Sequence, residues 1–154
     1  MVKRFRSTIC VAVVLTFVLG TLAMAAPKPP RFPQGEQPFP GTLRNARYVY
    51  VTSYDGDQFN PKLLPEDREA ISAVQNAIQK WGKLVLVYHP QDADIVLVVQ
   101  SRPSEDVLAV YDAHAWPQGE YLWRAMGRDG LQANETPLVT KFERDFDSLA
   151  RPGS

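Results

Sequence analysis

The chain has 154 residues, 45% of them apolar and 22% charged, with 17 Lys+Arg against 17 Asp+Glu, the size and composition of about one globular domain. Its single cysteine excludes a disulfide framework and a thiolate metal centre. The charge balance excludes a basic nucleic-acid footprint, because such binding depends on neutralising phosphates.

Lys3, Arg4 and Arg6 precede an apolar run over residues 9–22, which ends in Ala23-Met24-Ala25. A basic start, an apolar centre and a small-x-small end are the parts of an export signal, so residues 1–25 are expected to be removed and the protein to reach the periplasm or the extracellular space. The same run is at the lower limit of a bilayer-spanning length, which makes an uncleaved membrane anchor the alternative. Cys10 lies ahead of most of the apolar run, whereas a lipidated cysteine follows it, and so it leaves with the signal. What remains has 14 basic and 17 acidic side chains, a net charge of −3.

Six prolines fall within residues 27–41 without apolar periodicity, and residues 26–46 are expected to be a proline-rich linker. A folded domain is expected over 47–150, with a tail at 151–154. Residues 48–52, dense in β-branched and aromatic side chains, read as the first strand and run into a polar loop containing Asp55-Gly56-Asp57. Pro65 suits a first helical position, Glu66 and Asp67 sit where the helix dipole favours acids, and Gly82 follows the last periodic residue as a stop. At about 100° per residue, Ala70, Ile71, Val74, Ala77, Ile78 and Trp81 share one face of that helix. Residues 84–88 and 95–99 are short continuous apolar runs, expected as central strands buried on both faces.

Residues 102–106 are expected to turn, 107–111 to form a fourth strand and 121–126 a fifth, across a loop over 112–119. Thr136 and Pro137 open a closing helix on which Leu138, Val139, Phe142, Phe146 and Leu149 share a stripe. The order β-α-β-β-β-β-α with two one-sided helices predicts an α+β fold: a two-layer sandwich with a mixed sheet and both helices on one face.

The imidazoles are His89, near Asp92 and Asp94, and His114, near Asp112. Asp112-Ala113-His114 puts a carboxylate and an imidazole in one loop, the basis for reading the chain as a small hydrolase or metal-dependent enzyme centred on Asp112 and His114. The plainer reading makes Asp112 a turn residue. A dependable metal site needs three or four converging ligands, and the spacing signals none, so neither metal nor cofactor is expected. No nucleophile elbow, glycine-rich phosphate loop or paired-carboxylate motif occurs. Asn134-Glu135-Thr136 matches a glycosylation acceptor that Pro137 disfavours.

The distribution that can bear function is aromatic, since all six tyrosines fall in or beside predicted strands. Tyr48, Tyr50 and Tyr54 share a strand face. If helices cover Val49 and Val51, these rings line the opposite side, where an apolar body with a polar tip suits a half-wet binding surface. Tyrosine's strand propensity alone also accounts for such a face. Trp116, beside Pro117 in a loop, is either an exposed contact or a cover for a core edge.

Residues 47–150 thus run strand, helix ending near a glycine, Ala93-Asp94 leading an apolar strand, Val107 to Asp112, then Leu122-Trp123 and a closing helix. This layout resembles uncharacterised exported bacterial proteins. More distantly it is similar to the amino-terminal domain of the TolB translocation protein and to outer-membrane lipoproteins that activate peptidoglycan synthases. The resemblance implies docking and not catalysis. Gln100 and Ser101 stand where those domains often have a glycine, and the lipidation cysteine is missing. The expectation is therefore a non-enzymatic binding or assembly module of the cell envelope. Its expected partner is an envelope protein or cell-wall component, with no nucleic acid, and it meets a membrane only if the first segment stays uncleaved.

Overall fold

A computed structural model of the protein describes residues 39–132 and 135–150. The expected signal segment, most of the proline-rich stretch, Asn134 of the glycosylation acceptor and the 151–154 tail lie outside the described residues. A 3-10 turn at Gly41–Asn45 leads into β1 (Tyr48–Ser53), α1 (Pro65–Trp81), β2 (Val85–Val87), β3 (Ile95–Arg102), β4 (Glu105–Asp112), β5 (Trp123–Gly127) and α2 (Pro137–Ala150). The strands form one open sheet in the order β2-β1-β3-β4-β5. β1 runs parallel to both its neighbours, while β3, β4 and β5 form an antiparallel meander. The molecule has the expected α+β architecture.

The limits of α1 follow from its local chemistry. Pro65 lacks the N–H that a first turn leaves unpaired, and Gly82 takes φ 75° and ψ 7°, a left-handed geometry that costs glycine little, as its N–H returns to the Ile78 carbonyl at 3.0 Å. Ile71, Val74 and Ile78 of α1 and Leu138, Val139 and Phe142 of α2 bury into one cluster with Val49, Val51, Leu97, Val99, Leu108, Val110 and Trp123. Strand side chains alternate between faces, so both helices lie on the same side of the sheet. Phe142 is the hub of this layer, with ring centroids 5.8 Å from Phe39, Trp123 and Phe146 and 6.0 Å from Trp81.

Three expectations need adjustment. The run at 84–88, expected to be a central strand, contributes only three paired residues at the sheet edge, and Val85 is 57% exposed. The central place beside β3 is taken by β1, because β2 crosses back through a short 3-10 turn at Pro90–Asp92 to enter β3 on the other side of β1. Asp94 fixes that crossing: its Oδ2 accepts the N–H groups of Arg47 at 2.7 Å and Tyr48 at 2.9 Å, and its own N–H donates to the Tyr48 carbonyl at 2.9 Å. The expected turn over 102–106 is tighter, since Arg102 pairs with Glu105 across Pro103 and Ser104 and β4 starts at Glu105. Packed structure also begins ahead of residue 47: Leu43 is buried in the core and Phe39 lies against it, both within the stretch expected to be a linker.

Candidate functional site

Facing away from the helices, the sheet presents Tyr50, Val96, Val98, Ala109 and Tyr111 as a second buried cluster, with Val87, Ala113 and Trp116 partly buried against it. Register puts Tyr50 beside Val96 and Val96 beside Tyr111, and Thr52 beside Val98 and Val98 beside Ala109, so small side chains floor the middle of this face and rings stand round them. The Tyr54 ring lies just past β1, and its hydroxyl is 3.0 Å from that of Tyr111. Trp116 packs edge-on against Tyr111, with centroids 4.9 Å apart and planes at 68°. At the β5 side, the Arg124 guanidinium lies 6.0 Å from the Tyr121 ring centroid, a cation–π distance.

The four sequence-predicted site residues are thus on one face but not equally available. Tyr48 and Tyr54 are 45% and 44% exposed. Tyr50 is 8% exposed, a correction to its expected place on an accessible surface, because Val87, Ala93 and Val96 close round it. Burial holds the Tyr50 phenol above its ordinary pKa, and does the same more strongly at Tyr111, aided there by the Tyr54 hydroxyl. Trp116 folds back over the cluster edge. The sequence reading missed Tyr111, Tyr121, Arg124 and the exposed Met126 as members of this face; the alternation Ala109, Tyr111 on β4 and Arg124, Met126 on β5 was the signal that could have found them.

A polar network braces the end of the sheet where β1 leads into α1. The fully buried Asp67 carboxylate accepts the Ser101 N–H at 2.7 Å and the Arg102 Nη1 at 2.9 and 3.0 Å, and Arg102 Nη2 reaches Asp55 Oδ2 at 2.8 Å. Asp106, also buried, accepts the Ser101 hydroxyl at 2.7 Å and the Leu131 N–H at 3.0 Å. Each acid is satisfied within the protein, so these groups hold loops in place.

Asp112 and His114 behave as loop residues. Asp112 Oδ1 accepts the His114 N–H at 2.8 Å, an Asx turn, and stands 3.2 Å from His114 Nδ1, while the imidazole is 87% exposed. With Asp94, Thr42 and Asn45 they line a cleft of about 210 Å³. The N–H bonds from Arg47 and Tyr48 hold the Asp94 carboxyl below its ordinary pKa. Among the described residues no three His, Cys, Asp or Glu side chains are placed to hold a metal ion, and no helix is long and apolar enough to cross a membrane. His89 is exposed in the β2–β3 connection.

The fold and this face together define an open-sheet α+β domain with one side roofed by helices and the other edged with aromatic rings. No family model matches the chain, and no curated protein matches it. Among solved structures it is similar to a PelC dodecamer from Paraburkholderia phytofirmans, 19% identical over 67% of this chain and 90% of that one, with a TM-score of 0.40. A likeness this slight carries no statement about function.

Proposed function

We propose that this protein is an exported, non-enzymatic binding or assembly module of the cell envelope, which docks an envelope protein or cell-wall component through the helix-free side of its sheet. The observation that supports this reading is the edge of that side, where Tyr48, Tyr54, Tyr121 and Met126 are between 41% and 47% exposed and no helix among the described residues covers the sheet. Rings with polar tips lose few rotamers on contact and tolerate water when free, which makes them efficient interface anchors. Export rests on the three-part segment at residues 1–25, and finding Ala26 as the first residue of the mature protein supports it. Replacing Tyr48 and Tyr54 together with serine should abolish co-purification with envelope fractions and isolated cell-wall sacculi while circular dichroism shows the fold retained, the lost Tyr54–Tyr111 hydroxyl contact costing about 1 kcal/mol. Undiminished recovery of the double variant rejects this surface.

A further inference from the structure

The seam between α1 and α2 holds two carboxyls and one lysine. Trp81, at the end of α1, packs edge-on against Phe146 at 5.3 Å and Phe142 at 6.0 Å, and Lys83, just past Gly82, lies 5.5 Å from the Trp81 ring. Lys83 Nζ is 2.5 Å from Asp147 Oδ1. Glu143 stands one turn before Asp147 on the same face of α2, and both line the cleft beside Trp81. Glu143 is partly buried there and has neither a hydrogen bond nor an ion pair among the described residues. Arg144, also on the rim of the cleft, donates from Nε and Nη2 to Asp145 Oδ1 at 3.3 Å.

One cation therefore serves two acids, and the acid it pairs with is Asp147. An ionised Glu143 meets the Asp147 charge one turn away, a spacing at which like charges weaken a helix, and it gives up water beside Trp81 with no donor in return. A protonated Glu143 meets neither penalty. Burial first, and the Asp147 charge second, hold this carboxyl above its ordinary pKa of 4.5, against the pull of Lys83. For an acid whose folded value lies above its unfolded one, the stabilisation is complete below about pH 4.5 and is lost as pH rises through the folded value. We propose that Glu143 is an acid-sensitive latch on the seam between α1 and α2, which seats the closing helix more firmly in acid than at neutral pH. The rings substituted above take no part in it, so the latch and the docking face can fail separately.

The test follows backbone hydrogen exchange of α2 in the purified protein, as protection factors corrected for the intrinsic rate at each pH. Parent and Glu143→Gln should coincide at pH 4, where both side chains are neutral. At pH 7.5 the α2 amides of Glu143→Gln should be about twofold or more better protected than those of the parent, the size of one like-charge pair at this spacing with burial added. Repeating the pair in an Asp147→Asn background leaves Lys83 to Glu143, and the difference at pH 7.5 should shrink. Both substitutions keep the shape of side chains that reach solvent, so the fold should survive them. A difference equal at the two pH values, a parent better protected than Glu143→Gln at pH 7.5, or a difference undiminished by Asp147→Asn would each overturn the proposal.

Discussion

Replacing Asp67 with alanine tests the bracing network most sharply. The carboxylate is fully buried, and its loss strands the Ser101 N–H and one side of the Arg102 guanidinium. Breaking a buried charged pair costs about 3–5 kcal/mol. Arg102 is 31% exposed at its side chain and keeps Asp55 Oδ2 at 2.8 Å and the Ser101 carbonyl at 2.6 Å, so the low end, about 3 kcal/mol, applies here. A domain of this size has about 5–15 kcal/mol in total. With a urea slope of about 1.5 kcal/mol per molar, the unfolding midpoint, followed by tryptophan fluorescence, should fall by about 2 M. Asp55→Ala removes the outer, half-exposed partner of the same guanidinium and should cost about 0–1 kcal/mol. A loss below about 1 kcal/mol for Asp67→Ala, or equal losses for the two variants, would refute this reasoning.

Phe142→Ala empties the ring cluster joining α2 to the sheet and should cost about 3–5 kcal/mol in the same urea assay. Leu43→Ala should cost about 2–5 kcal/mol, whereas a linker position would cost almost nothing, so this variant locates the start of the packed domain. Gly56→Ala must adopt a backbone geometry alien to a Cβ while pushing on Asn60, and calorimetry should show a destabilisation of more than about 1 kcal/mol. In an alkaline titration followed by phenolate absorbance, Tyr50→Phe and Tyr111→Phe should each remove a late-ionising phenol. Because both pKa values are raised on folding, their contribution to stability is complete below about pH 10, the unfolded value, and falls away as pH rises above it.

Local chemistry was legible in the sequence, while pairing over distance was not. Pro65 and Gly82 announced the ends of α1 because an absent N–H and a free left-handed conformation are properties of single residues. The valine run of β3 read correctly as a central strand, since both its faces are buried. The similar run at β2 did not, because whether an apolar strand lies at the centre or the edge depends on the order in which strands pair. Asp67 looked like a first-turn acid for the helix dipole, yet its partner is Arg102, 35 residues away. Phe39 and Leu43 were hidden by the prolines around them, as isolated apolar residues have no period to detect. On the candidate face, alternation placed Tyr48 and Tyr50 on the side away from the helices, but the burial of Tyr50 needed Val87 and Ala93 brought in by the crossing between β2 and β3.

The most direct measurement is hydroxyl-radical footprinting of the chain from Ala26 onward, alone and mixed with solubilised envelope. Protection should concentrate on Tyr48, Tyr54, Tyr121 and Met126, leaving the outer sides of both helices labelled as before. Protection confined to the helices, or none at those four side chains, would contradict the claim that the bare side of the sheet is where this protein docks.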